Sequence, residues 1–582
     1  MLMSSLSEQM SVDIAAQCFL NALMRETNDW QLRHAADGSA GSQLVIPLDE
    51  RRRIEIALRY VSPTQHHHYH FPARLCRDDD STGQPLDFAA LTTLLLEKPG
   101  VAGELAPAVI TRFNQRVQES HRNTWQAIAA RPDWSRLRDR PLNFGEAEQA
   151  LLAGHAFHPA PKSHEPFSDA EARRYLPEFA SAFPLRWFAI AREQLAGESL
   201  DLTLPQRLIR LVSESAPALL THLDDDTALL PMHPWQASHL LKQPWCQRLM
   251  TSGKLRDLGE AGESWLPTSS SRAIYFAHGS DMLKFSLSVR LTNSLRTLSV
   301  KEVKRGMRLA RLATTREWQG LQLRHPTLRV MQEDGWAGIK DEHGVVQEES
   351  LLAFRVNLLK AQPEAQTNVL VSLTQAAPDG GDSLLTAAVR RLAKRLSLTP
   401  QQAAHCWLQA YCEQVLVPLF RIEADYGVAL LAHQQNILVE MQQDLPVGMI
   451  YRDCQGSAFT ASAQAWLEKY READAENRFS EQQLLRYFPY YLLMNSTLAV
   501  TAALAAAGFD SEAACNQRVR DALAALRQQV NDRTCLDFVL DSRYWQCKGN
   551  FFCYLHDHNE NTIVDPAVIY FDFANPLYSG VK

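Results

Sequence analysis

The chain has 582 residues, 65.7 kDa and 46% hydrophobic content, which is too much polypeptide for one hydrophobic core, so two to four domains are expected. Its 59 Lys and Arg against 66 Asp and Glu leave a net charge of -7 with no long basic run, which excludes a nucleic-acid partner. Without a basic-then-apolar leader, a membrane-length apolar stretch or any CxxC among the ten cysteines, the expectation is a soluble cytoplasmic protein with no membrane partner, disulfide framework or zinc site.

Apolar residues at helical spacing predict a helix over residues 12–27, and alternation over 44–62 predicts strands before a polar loop at 78–84. Helical patterns then run from 87 to about 153, which places an α+β domain at 1–154. His66, His67, His68 and His70 lack a second set of ligands and read as surface or strand-packing residues. In Gly154-His155-Ala156-Phe157-His158-Pro159 with Lys162, glycine and proline fix a loop whose His and Lys suit either a phosphate or a plain turn. His233-Pro234-Trp235-Gln236 closes an apolar run as a packed turn.

Thr268-Ser269-Ser270-Ser271-Arg272 precedes a short strand at 273–276, a turn, and a second strand in which Leu283, Phe285, Leu287, Val289 and Leu291 share one face. Lys284, Ser286, Ser288, Arg290 and Thr292 share the other. The strand runs into Asn293-Ser294-Leu295-Arg296, and Ser299 with Glu302 forms a capping box for the next helix. Hydroxyls, guanidinium forks and an ammonium on one sheet face near a helix start form an anion site of the kind an oligophosphate needs; the bland alternative is a solvated polar strand face.

Ala377-Pro378-Asp379-Gly380-Gly381-Asp382 breaks the chain before a helix at 383–396, so the middle domain is placed at 155–380 and the last at 381–582. There, a buried-strand pattern ends in His433-Gln434-Gln435-Asn436, and a second ends in Arg452-Asp453. Strand ends with these donors suit an octahedral Mg²⁺, although polar hairpin tips that satisfy their own turns have the same look. The alanine-rich helix at 497–507 reads as packing. The stretch from Lys548-Gly549-Asn550 to Asn559-Glu560-Asn561 is polar enough for a substrate pocket or for a loop.

In order, the loop from Gly154 to Lys162, His233 to Gln236, Thr268 to Arg272, Lys284 to Arg296, His433 to Asn436, and Arg452-Asp453 resemble the NRPS-independent siderophore synthetases over nearly the whole chain. Asn143 to Gln149, Lys284 to Arg308 and Asn550 to Pro576 look most like the citrate-primed branch of aerobactin formation. The resemblance implies a multidomain α+β cupped hand, with thumb, fingers and palm matching the three segments above. It also implies a ligase that uses ATP and Mg²⁺ to make citryl-adenylate, releases pyrophosphate, and lets the amine of N-ε-acetyl-N-ε-hydroxylysine displace AMP.

By resemblance, His158, Ser270, Ser271, Arg272, Lys284, Gln435 and Asp453 bind ATP, and Gln435, Asn436 and Asp453 serve Mg²⁺. Thr292, Arg296 and His433 contact citrate. Lys284, Arg296 and His433 form the catalytic set, with His433 taking the amine's proton or orienting citrate. Relatives of this kind suggest a homodimer. Two departures stand out: Leu431 occupies a position where many relatives carry a metal-binding Glu, and Ser163-His164-Glu165-Pro166 follows Lys162 where relatives often place an Arg and a Gly. A kinase-like phosphotransferase that releases ADP and a non-enzymatic ferric-siderophore binding or reductase protein are the rival readings.

Overall fold

The computed structural model describes residues 12–34, 41–78, 80–292, 294–472, 477–558, 563 and 565–580. Asn293 and the segment 559–561 lie outside the described residues. The first helix, Ile14–Glu26, starts where the Asp13 carboxylate accepts the N–H groups of Ala15 and Ala16. Its apolar face packs on a five-stranded antiparallel sheet that follows chain order from Gln31–His34 to Asp80–Leu86. The expected loop at 78–84 is therefore mostly strand. A register shift against His68–Arg77 and the left-handed Gly83 (φ +63°) make it irregular, which hides the period-2 pattern.

The core of this first unit takes Phe551, Tyr554 and Leu555 from the far end of the chain. The Glu26 carboxylate accepts the Phe551 and Phe552 N–H groups at 2.7 and 3.0 Å and so fixes the start of the helix Asn550–Leu555.

The middle third forms an eight-stranded antiparallel sheet, with Asp281–Phe285 between Ala273–Tyr275 and Val346–Val356. The single long strand expected beyond Lys284 breaks at Ser286. The Ser286 hydroxyl donates to the Glu348 carbonyl and accepts the Leu298 N–H. Leu287–Leu291 then leaves for a small sheet with Ser294–Arg296 and His164–Glu165. Leu283, Phe285, Leu287 and Val289 still share one core across the break, whereas Lys284 and Ser286, on the polar side, are buried rather than solvated.

In the last third, a four-stranded sheet of Leu328–Val330, Leu445–Tyr451, Ile437–Gln442 and Thr367–Val369 lies beneath helices that include Leu384–Leu396, Pro400–Tyr411 and Leu498–Ala506. The first two strands pair parallel. The same core receives Trp134, Leu137 and Leu152 from the segment before residue 154. Among the described residues, no helix is long and apolar enough to cross a membrane.

Two structural histidines give the fold a pH dependence. His67 and His233 are buried, each with Nδ1 accepting a backbone N–H, from Ser62 and Trp235 respectively, and burial lowers their pKa values to about 4 and about 3. The unfolded imidazoles take up protons near pH 6.5, so this stability is complete above that pH and is lost as pH falls toward 4. Each group contributes a slope of up to about 1.4 kcal/mol per pH unit. Urea unfolding at pH 7, 6 and 5 is expected to show falling stability, with a shallower slope in His67→Gln or His233→Gln. A stability independent of pH over this range would contradict the assignment.

Candidate active site

The Thr268–Arg272 turn is built by its own hydroxyls. Thr268 N–H donates to the Ala273 carbonyl, Ser271 N–H donates to the Thr268 carbonyl at 2.8 Å, and the Ser270 hydroxyl accepts the Ala273 N–H. From outside, the turn is clamped by Glu148, which accepts the Ser269 N–H at 2.7 Å and pairs with Arg452 at 2.7 Å in the interior. Ser269 Oγ in turn accepts from Arg452 and Gln435. A helix at Phe144–Gln149, the finger hairpin and the Arg452-Asp453 strand end are thus joined at one point.

Beneath the turn lies a buried charge network. Lys284 Nζ donates to Asp453 Oδ1 at 2.6 Å, to Gln455 Oε1 at 3.0 Å and to Glu333 Oε1 at 3.4 Å. Arg355 also binds Glu333 Oε1, at 2.6 Å. Burial alone would raise the Asp453 carboxyl, but Lys284, Arg355 and Arg272 hold it far below the usual carboxylate range. Arg272 spans the network by donating to the Arg296 and Thr297 carbonyls.

Three expected ligand positions, Ser271 (φ +62°), Thr292 (φ +54°) and Asp453 (φ +78°), sit in left-handed backbone that costs non-glycine residues on the order of 1 kcal/mol or more. The surrounding hydrogen bonds hold them there: Gly456 N–H closes on the Asp453 carbonyl, and Arg296 Nη2 donates to Thr292 Oγ1 at 3.1 Å and to the Leu291 carbonyl. Withdrawal from solvent, with Arg272 nearby, lowers the Arg296 pKa to about 10, so the guanidinium stays charged.

Above this layer opens a cavity of about 310 Å³ whose walls bring together His158, Ser270, Ser271, Thr292, Arg296, His433 and Gln435. Arg272, Lys284, Asn436 and Asp453 are not on its walls. They form the layer below, linked to it through the Arg296 carbonyl and the Asn436 amide, which reaches His433 Nε2 at 3.1 Å and Asp453 Oδ2 at 3.4 Å. Burial lowers the His433 pKa to about 4, so its ring is neutral near pH 7. His433 Nδ1 accepts the Gln435 N–H, and His158 Nδ1 accepts the Ala160 N–H. The neutral His158 ring so used carries its proton on Nε2 and presents a donor, whereas His433 meets the Gln435 N–H at Nδ1 and the Asn436 amide nitrogen at Nε2, so both of its ring nitrogens face N–H groups.

The cavity also takes Lys548, Asn550, His155 and Asn495, of which all but Asn495 lie in stretches with a sequence signal, the polar run at 548–550 and the Gly154–Lys162 loop. Glu148 lies in the Asn143–Gln149 stretch that carried the resemblance but was given no role, and Glu333 and Arg355 had no signal: each is a single charged residue in an ordinary segment. Lys162 does not point into the cavity as a free cation, since its ammonium donates to the Leu151 carbonyl and pairs with Glu178 at 3.3 Å.

The donor chemistry fits a magnesium ion that keeps water and nucleotide oxygens, because Asp453 is ionised and stands beside the Asn436 amide, with Gln435 on the cavity wall. It does not fit a closed all-protein cage: among the described residues, no three His, Cys, Asp or Glu side chains gather as ligands. The second carboxylate on Lys284 is Glu333, whose Oε2 is buried without a hydrogen-bond partner.

The chain is 61% identical over 573 residues, 98% of each protein, to the N(2)-citryl-N(6)-acetyl-N(6)-hydroxylysine synthase of Escherichia coli. Residues 143–375 match the IucA / IucC family. The chain belongs to the IucA / IucC family. A second family member, the N(2)-citryl-N(6)-acetyl-N(6)-hydroxylysine synthase of Vibrio mimicus, is 40% identical over 580 residues, 96% of this chain and 94% of the relative. ATP-bound aerobactin synthetase IucA from a hypervirulent pathotype of Klebsiella pneumoniae superposes with a TM-score of 0.94 at 62% identity, covering 98% of this chain and all of that one. Residues 405–563 also match the ferric iron reductase FhuF-like transporter family.

The Glu148–Arg452 pair gives a direct test of how the hydroxyl turn is held. Glu148→Ala strands a buried guanidinium and is expected to cost about 3–5 kcal/mol in denaturant unfolding. Glu148→Gln keeps an acceptor for the Ser269 N–H and is expected to cost less. Unchanged stability in the alanine variant would show that the pair does not clamp the turn.

Proposed function

We propose that this protein is an AMP-forming ligase that activates a carboxylate of citrate with ATP and transfers the citryl group to the amine of N-ε-acetyl-N-ε-hydroxylysine. The observation that carries the reading is the convergence of Ser270, Ser271, Thr292, Arg296 and His433 on one cavity above the Arg272–Lys284–Asp453 layer. It is supported by the near full-length likeness to a synthase named for that product.

A citrate carboxylate oxygen attacks the α-phosphorus of ATP, the bond from that phosphorus to the bridging oxygen breaks, and pyrophosphate leaves. From the layer behind the cavity wall, Arg272 and Lys284 would offset at a distance the charge that develops on the phosphoryl oxygens, while Ser270, Ser271 and the His158 Nε2–H donate to the triphosphate. Arg296, propped by Thr292, would clamp a second citrate carboxylate through its fork and so choose which carboxyl reaches the phosphorus. Mg²⁺, held by Asp453 with Asn436 and Gln435, supplies neutralisation of phosphate charge when bound.

In the second half-reaction the amine attacks the acyl carbon and gives up a proton to solvent as the C–N bond forms, while the bond from the acyl carbon to the bridging oxygen breaks and AMP departs with that oxygen and the bond's electron pair. With the Gln435 N–H at Nδ1 and the Asn436 amide at Nε2, His433 would help to place citrate as part of the cavity wall, and neither ring nitrogen is open to take the amine's proton.

The 405–563 match favours the rival ferric-siderophore reading, and a cluster of His433, Asn436 and Asp453 would also serve a kinase-like phosphotransferase. Products separate all three. Incubation with ATP, Mg²⁺, citrate and the hydroxylated acyl-lysine is expected to give citrate-dependent AMP, pyrophosphate and the citryl amide. Lys284→Ala is expected to lower that turnover by roughly 10²-fold or more. ADP would favour the phosphotransferase, and iron-chelate binding without nucleotide turnover would favour the third reading. Near wild-type turnover in folded Lys284→Ala would remove the lysine from the mechanism.

A further inference from the structure

A second cavity, of about 180 Å³, lies directly behind the first, and Gly154, Val371 and Gln434 belong to the walls of both. One side is aliphatic, formed by Ala499, Ala502, Ala503 and Ala506 of the helix Leu498–Ala506. The alanine stripe expected to be packing is thus the wall of a chamber, because its short side chains leave the space open.

The other side is polar and comes from the first unit, with Asn21, Tyr60, His66 and His68. Burial keeps both imidazoles uncharged near pH 7. At the rim, Asp382 accepts from Arg390 and Thr386, while Arg59 is exposed to solvent and donates to the Gly380 carbonyl. The chamber therefore suits a ligand that is aliphatic along its length and neutral but hydrogen-bonding at its end.

The dividing wall is close to the chemistry. Gln434 follows His433, its side chain accepts the Thr374 hydroxyl at 3.0 Å, and its N–H donates to Asn495, which itself lines the first cavity. In the ligase reading, the first cavity must hold the reacting ends of nucleotide and citrate together, which leaves little space there for the arm of the amine.

We propose that the second cavity receives the side arm of the amine substrate, with its methylenes along the alanine helix and its neutral N-hydroxy-N-acyl end at His66 and His68, while its α-amine stays in the first cavity. This assignment rests on the ligase reading and deepens it.

The test fills the chamber with Ala503→Leu and, one helical step away, Ala506→Leu. Pyrophosphate–ATP exchange with citrate and no amine is expected to stay near wild type. Amide formation is compared for the hydroxylated acyl-lysine and for L-alanine, which keeps the α-amine and carboxylate but has no arm. The arm-bearing amine is expected to lose about 10-fold or more in kcat/KM, chiefly through KM, with L-alanine unaffected. Equal losses for both amines, or none, in folded variants would overturn the site while leaving the ligase intact. Absence of exchange in the wild type would overturn the ligase reading and this site together. A lysine-derived amine whose arm ends in a diazirine gives a check on the unaltered protein: crosslinking to the peptide that holds His66 and His68 supports the site, and crosslinking confined to residues 269–296 overturns it.

Discussion

A buried lysine and a partly exposed aspartate meet at 2.6 Å, and that contact joins the two halves of the active site. Lys284 stands on the eight-stranded sheet, whereas Asp453 follows the last strand of the four-stranded one. Each charge would be costly alone, and together with Glu333 and Arg355 they form a set with equal numbers of positive and negative groups. Such a set adds little net stability over an apolar core, but it permits only one way of setting the sheets against each other. Arg272 extends the set to the Arg296 carbonyl, so the Arg272 and Arg296 guanidiniums are positioned by the same network.

Period-2 alternation located the finger hairpin, the capping box at Ser299 and Glu302 formed as read, and the resemblance named side chains that do line one cavity. The alternation could not reveal the break at Ser286, because the pattern continues across it while the hydrogen bonds change sheets. It also could not reveal that Lys284 is buried among carboxylates. Glu148 meets Arg452 across 304 positions of chain, and Glu333 meets Lys284 across 49, and a single sequence carries no signal for such pairs. The alanine stripe was misread for a related reason: small side chains at helical spacing describe a close-packed face and a cavity wall equally well.

The loop after Gly154 gives the two cavities a common boundary. His155 and His158 turn toward the first chamber and Ala156 toward the second, while Phe157 between them carries the Arg25 guanidinium on its ring and packs against His66. The first unit thus reaches the reaction centre through this loop and through Glu26, which fixes the helix start beside Lys548 and Asn550. A two-step reaction benefits from such a layout, since the activated acyl group can wait in one chamber while the acceptor is selected in another.

The central claim is that the charged layer brings a citrate carboxylate oxygen to the α-phosphorus of ATP. Citrate labelled with ¹⁸O in its carboxylates tests this directly when the AMP and phosphate products of a full turnover are analysed by mass spectrometry. The account predicts one ¹⁸O atom in AMP and none in pyrophosphate. Label in inorganic phosphate, with ADP as the nucleotide product, would contradict it.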